Sequence, residues 1–245
     1  MLFRSNNNNI FDLGVKCTPK PRIDTLSLIE HYRSHPLIIG FSNHHIYHKS
    51  LLLRKEMAQK SMCSMASGIF GKNINGVCYQ GNAGRSWVNN READAVCELI
   101  EDLKNDTNFN MMSIGVVSPF AAQISLLQKK INLLEFSSDI TVGTAHTFQG
   151  DERDIIIFSP VISKGITEGA IKFANSPNLI NVALTRAREA LFVLGDFNYC
   201  KKSGGIVGNL IKYVETISLL RNTSFEELEL FSWMVMEGWI PKTHV

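Results

Sequence analysis

The chain has 245 residues, with 25 basic and 23 acidic side chains and a formal net charge of +2. That length buries the core of one large domain, or of a domain with an appendage, and a composition of 44% hydrophobic and 20% charged residues excludes a disordered or fibrous chain. The balanced charge neither demands nor excludes nucleic acid, so any phosphate-binding surface must come from local clustering.

Five cysteines, an odd number with no C-x-x-C spacing, read as reduced thiols. No stretch approaches the ~20 apolar residues that cross a bilayer, and the start has no apolar core of signal-peptide length. A cytoplasmic protein with no membrane partner is expected.

Residues 1–22, with an Asn run and the Pro19-Lys20-Pro21 spacer, predict a poorly ordered lead-in. Asp24–His31 reads as a short helix, and Pro36 opens another running to about Leu53. Residues 54–76 are mixed and read as an exposed loop, with a short strand at Gly76–Tyr79. Asn89 begins a helix whose Ala93, Val96, Leu99, Ile100 and Leu103 keep the helical period. Strands and helices then alternate. Ile114–Val117, Ile140–Gly143, Asp154–Ser159 and Leu191–Leu194 read as strands, Ala121–Leu133 and Asn178–Glu189 as helices. This succession predicts a parallel sheet covered by helices, an α/β domain over residues 23–205. In such sheets chemistry gathers at the carboxyl ends of strands, where Ser118-Pro119, Thr144–Glu152 and Asp196 fall. Residues 206–245 read as a helical extension, with helices at Ile206–Leu220 and Phe225–Met236.

Three segments carry unusual residues. In His31–Pro36, Arg33 can fork onto phosphate oxygens while Tyr32 beside it stacks on a base. Val142–Glu152 holds hydroxyls, an amide and a carboxylate within a short span. Thr144 and Thr147 can donate to phosphate, Gly150 allows close backbone approach, and Glu152 can accept a ribose hydroxyl or orient an arginine. In Asn181–Arg188, Arg186 and Arg188 are two apart, on different faces if helical. Each segment alone also fits solvated surface structure.

In this order the segments resemble the C-terminal motor domain of superfamily 1 helicases, in the group of the nonsense-mediated-decay helicase. Tyr32–Pro36 looks like Y-R-x-H-P, Gly115–Gln123 like G-V-[IV]-[ST]-P-[YF]-x-x-Q, Phe148–Glu152 like F-Q-G-x-E, and Asn181–Arg188 matches N-V-A-L-T-R-A-R. The resemblance covers about residues 24–197. It implies a RecA-like three-layer α/β sandwich with a mainly parallel sheet, of the P-loop NTPase superfold but without a P-loop. It also implies that Arg33 and Arg186 are arginine fingers on the γ-phosphate of ATP. Tyr32, Gln149, Gly150 and Glu152 would hold the nucleotide. Ser118, Pro119, Thr144 and His146 would lie on the backbone of single-stranded nucleic acid.

A complete motor also needs phosphate-binding and Mg2+-binding motifs. Gly71-Lys72 fails as a Walker A loop, because Asn73 follows and Ala66 stands where the first Gly belongs. Asp196 fails as a Walker B acid because no phosphate loop precedes its strand. A Q-L-P segment is absent before Tyr32. The chain is therefore expected to be a piece that does not hydrolyse ATP alone and works against an N-terminal RecA-like domain, which holds most of the Mg2+ contacts. The competing reading is a non-catalytic nucleic-acid- or protein-binding module on a degenerate motor fold. His44 and His48 suggest a metal helix, but His45 stands where Glu is needed, and no metal site is expected. Ser224-Phe225-Glu226 resembles the opening of a restriction-endonuclease-like domain.

Overall fold

The computed structural model describes residues 30–31, 33–53, 67–81, 84, 86–135, 137–148 and 151–222. The chain divides into two compact units, Met1–Glu30 and His31–Val245. The second unit holds the main sheet and the helices that cover it.

Along the chain the elements are β1 (Glu30–His31), α1 (Pro36–His45), β2 (Leu52–Leu53), β3 (Gly68–Asn73), β4 (Tyr79–Gln80), β5 (Trp87–Val88), α2 (Asn90–Asn105), β6 (Ile114–Val117), α3 (Ala121–Ile131), β7 (Ile140–Gly143), β8 (Arg153–Phe158), α4 (Glu168–Ala174), α5 (Pro177–Leu184), β9 (Ala187–Gly195), α6 (Phe197–Ser203) and α7 (Gly205–Asn222). Five strands form one sheet in the order β3-β9-β8-β6-β7, every pair parallel. A parallel sheet is covered on both faces, so its strands are apolar throughout rather than alternating. All four residues of β6 are buried, as is Ile155–Phe158 of β8.

Alternate strand residues serve opposite faces. Ile155 and Ile157 pack with Ala93, Val96 and Ile100 of α2 and with Leu127 and Ile131 of α3. Ile156 and Phe158 pack on the other side with Phe41 of α1, Ile180 and Leu184 of α5, and Leu210 and Ile211 of α7. The result is the RecA-like three-layer α/β arrangement.

Several boundaries differ from the sequence expectation, each for a local reason. Glu30 and His31 are strand, not the end of a helix. The helix from Pro36 stops at His45, because the Asn43 carboxamide brackets the main chain of Leu51: Leu51 N–H donates to Oδ1 at 3.0 Å, and Nδ2 donates to Leu51 O at 3.3 Å. His48 and Lys49 turn the chain there at φ 50° and 64°.

The span read as a loop at 54–76 contains β3, an edge strand. Its Gly, Lys and Asn hide it from any apolar pattern. Of the strand read at Gly76–Tyr79, Val77 makes only an isolated bridge to Lys164, and Tyr79–Gln80 pairs with Trp87–Val88. The helix read to Glu189 ends at Leu184. Pairing of Ala187 with Arg153 of β8, and the bond from His35 N–H to Arg188 O, override the helical preference of Ala187, Arg188 and Glu189. Helix α6 was not anticipated; Asp196 caps it, Oδ1 accepting from Tyr199 N–H at 2.9 Å. Helix α7, read as part of an extension, shares the core under β3. The lead-in, most of Asp24–His31, residues 54–66 and everything from Thr223, including the segment around Glu226, lie outside the described residues. Among the described residues no helix is long and apolar enough to cross a membrane.

A buried polar cluster locks the end of β8. Glu92 is fully buried; its Oε2 accepts from Ser159 Oγ (2.7 Å) and Val161 N–H (3.0 Å), its Oε1 from Asn89 Nδ2 (3.2 Å). Gln123 brackets Asn89, accepting from its N–H at 2.9 Å and donating to its O at 3.2 Å. Val161, a β-branched residue at φ 56°, is held in a conformation such residues avoid. Burial pushes the Glu92 carboxyl up to about 7, against three hydrogen bonds that favour its charged form.

The folded chain thus keeps a proton that an ordinary glutamate releases near 4.5. The stability linked to it is full below that pH and is lost as pH rises through about 7. Equilibrium unfolding across this window is expected to show stability falling with pH. Glu92→Gln, uncharged throughout, removes that share of the slope; an unchanged slope in the variant would disprove the assignment.

Candidate nucleotide-facing site

Three distant segments meet at the amino ends of β8 and β9. His35 N–H donates to Arg188 O at 2.9 Å, and Arg153 N–H donates to Arg186 O at 3.1 Å. These main-chain bonds bring Arg33, Glu152 and Arg186 together. Arg33 Nε lies 2.6 Å from Glu152 Oε1, with the two side chains 42% and 31% exposed. An ion pair so open to water contributes at most ~1 kcal/mol to stability, so folding alone gives little reason for it.

Arg186 occupies the turn between α5 and β9, where its Nε donates to Val182 O at 3.2 Å. Burial lowers its pKa, as does the neighbouring Arg33 charge, while Glu152, Tyr47 and Asp151 act the other way. Arg153 is committed internally: its Nη1 reaches Asp151 Oδ1 (2.7 Å) and Glu152 O (2.6 Å), its Nη2 Thr141 Oγ1 (2.8 Å). Its hydrogen bond holds the exposed Asp151 carboxyl below the usual range. Among the described residues the cluster sets three guanidinium groups against two carboxylates, with Glu152 bonded to Arg33 and acting electrostatically on Arg186. Arg188, expected on another face of a helix, instead lies on β9, 3.6 Å from Asp154. Tyr32, Gln149 and Gly150 lie outside the described residues.

The sheet has a second polar edge. Ser118, Pro119 and Thr144 follow the carboxyl ends of β6 and β7, joined by a bond from Ser118 N–H to Gly143 O at 3.3 Å. The expectation that Thr144–Glu152 lies at the carboxyl ends is thus corrected in part: Glu152, with Arg33 and Arg186, lies at the opposite, amino-terminal edge. Asp196 serves as a helix cap. Ser118 and Pro119 are buried, whereas Thr144 is half-buried and His146 exposed. Thr147 N–H donates to Thr144 O at 3.0 Å, closing a tight turn against Gly143, where a Cβ would meet Thr147 at 2.5 Å.

The two edges are linked by one short stretch of chain. β7 and β8 flank β6, so the segment from Thr144 to Glu152 crosses the sheet from its carboxyl to its amino edge. Phe148, midway, is fully buried. A Cβ at Gly115 would lie 2.8 Å from the Phe148 ring and 2.7 Å from Ile156 Cδ1. The glycine supplies the room in which the ring lies.

Tyr47 escaped sequence reasoning. Its hydroxyl accepts from Asn181 Nδ2 at 2.8 Å, across 134 residues of chain. No local pattern pairs residues so far apart. Among the described residues, no three His, Cys, Asp or Glu side chains converge as a metal site.

Residues 7–198 match the AAA domain family, and the chain belongs to it. It is similar to DNA polymerase alpha-associated DNA helicase A of Saccharomyces cerevisiae, 30% identical over 214 residues covering 80% of this chain and 31% of that protein. It is also similar to the probable helicase senataxin of Homo sapiens, 30% identical over 71% of this chain and 7% of that protein. Regulator of nonsense transcripts 1 of Dictyostelium discoideum is 30% identical over 81% of this chain and 15% of that protein. The chain spans a third or less of each. These relatives agree with the RecA-like fold and with the superfamily 1 helicase motifs.

Gly115→Ala is expected to overpack the crossing and destabilise the chain by about 1–3 kcal/mol. Urea unfolding reads this as a lower midpoint at constant slope; an unchanged midpoint would show that Phe148 does not need the space.

Proposed function

We propose that this chain is the second, C-terminal motor domain of an ATP-dependent nucleic-acid helicase, with residues 23–205 as its α/β body. It supplies arginine fingers to ATP held mainly by another RecA-like domain. The observation that carries this reading is that Arg33 and Arg186 lie close enough at one edge for their charges to oppose each other, with Glu152 bonded to Arg33 beside them. Two like charges held together repel, and a polyanion such as a triphosphate relieves that repulsion. Their positive charge would oppose the charge that develops on the γ-phosphate in the transition state.

Glu152 then orients Arg33 and lies within the same cluster for a ribose hydroxyl; the motif match would add Tyr32, Gln149 and Gly150 as nucleotide contacts. The carboxylates here are already engaged, Asp151 by Arg153 and Glu152 by Arg33, which suits phosphate oxygens rather than Mg2+. The metal would be held by the partner domain. At the opposite edge Thr144 and His146 present groups to the backbone of single-stranded nucleic acid, and Ser118 and Pro119 shape that edge from beneath. Contacts of this kind fix strand position without reading sequence.

The chain alone is expected to show no nucleic-acid-stimulated ATP turnover. In a polypeptide that joins it to a domain bearing a phosphate-binding loop, Arg186→Ala should lower kcat on the order of 10³-fold while nucleic-acid affinity is largely kept. Arg188→Ala, which removes a charge two residues away, should leave kcat near its starting value. Robust turnover by the purified chain, or equal losses in the two variants, would sink the reading; a joined polypeptide with no ATPase to lose would favour the binding module.

A further inference from the structure

A guanidinium meets a phosphate reproducibly only if its own support is fixed, since small misplacements are costly in rate. Arg186 is anchored through one of its five donors to its own helix, at Val182 O. The position of the last turn of α5 therefore sets the position of the arginine. That turn is closed by Thr185, which immediately precedes Arg186: its N–H and its Oγ1 both reach Asn181 O, at 3.0 and 2.8 Å. Asn181 is held in turn by Tyr47, through the 2.8 Å bond from Nδ2 to the phenol oxygen. Its Oδ1 stays buried without a hydrogen-bond partner among the described residues, so this amide does not take its own best bonding. Tyr47 is also close enough to act electrostatically on Arg186.

The turn that presents Tyr47 is tightly determined. Tyr47 N–H donates to Ser42 O at 3.0 Å, and Ser50 returns two bonds to Tyr47 O, from N–H at 3.0 Å and from Oγ at 2.6 Å. The Asn43 bracket on Leu51 closes the same turn. His48 and Lys49 come next in the chain, in left-handed conformations that non-glycine residues rarely adopt. Backbone of this kind persists where surrounding structure over-determines it, and it clusters at functional sites. The helix that leads into this turn, α1, starts three residues after Arg33. One helix thus references both arginines of the cluster.

We propose that Tyr47 is a positioning residue for Arg186. The relay from the Tyr47 hydroxyl through Asn181 and Thr185 fixes the end of α5 and holds the guanidinium facing the nucleotide edge. The proposal rests on the reading of Arg186 as a phosphate-contacting finger.

Tyr47→Phe keeps the ring and removes only the hydroxyl. In the joined ATPase, kcat is expected to fall on the order of tenfold, with KM for ATP, nucleic-acid affinity and Tm unchanged. Asn181→Ala should lower kcat as well, and the double variant should fall no further than Asn181→Ala, because both changes cut one relay. Unchanged kcat in Tyr47→Phe, beside a kcat lost in Arg186→Ala, overturns the proposal and leaves the finger intact. A fall in kcat accompanied by a matching fall in Tm also overturns it, since the role would then be structural. If Arg186→Ala itself keeps its kcat, the finger reading fails instead. The Arg186 Nε–H signal by NMR in this chain then tests the relay alone: faster exchange with water in Tyr47→Phe supports it, and identical exchange overturns it.

Discussion

The ring of Phe148 lies where Gly115 has no side chain, and this contact governs how the rest of the molecule works. β6 is the middle strand between β7 and β8, so the chain leaving β7 must pass over β6 to begin β8. A fully buried aromatic halfway across fixes that passage. Thr144 stands four residues before it and Glu152 four after it. One packing contact thus sets the polar groups of both sheet edges, close in sequence and on opposite sides of the sheet. In the proposed motor this contact would place the strand-facing and nucleotide-facing groups on one short segment.

At the amino edge the electrostatics are incomplete. Arg153 is absorbed by Asp151, Thr141 and the main chain of Glu152, and Glu152 is itself bonded to Arg33. Burial and mutual repulsion both act against the charge on Arg186. A structure selected for stability alone would gain by separating these groups. In the proposed reading an anionic ligand completes this surface, and the support behind Arg186 would run through α5 to Tyr47.

The sequence revealed the fold through its central strands. Ile114–Val117 and Ile155–Phe158 are buried on both faces and therefore read as unbroken apolar runs. It concealed β3, because an edge strand of Gly, Lys and Asn lacks that signature, and it misread Ala187–Glu189, where pairing of Ala187 with Arg153 of β8 and the bond from His35 N–H to Arg188 O outweigh helix propensity. Arg33, Glu152 and Arg186 were legible as a set because motif order carried them. Their place at the amino edge was missed: Thr144–Glu152 was read as one block at the end of β7 although Glu152 directly precedes β8, and Arg186 was read inside a helix rather than just ahead of β9. Tyr47 was not legible at all: its partner lies 134 residues away and the bond depends on tertiary packing.

In the proposed motor Arg33 and Arg186 stabilise charge that develops during phosphoryl transfer rather than simply attracting nucleotide. Interactions made only in the transition state are lost selectively from its analogues. The direct measurement compares binding of ADP and of ADP–aluminium fluoride to the joined polypeptide and to its Arg186→Ala variant. The variant is expected to keep its affinity for ADP within a few-fold and to lose ADP–aluminium fluoride by on the order of 10²-fold or more. Equal weakening of both ligands would contradict it.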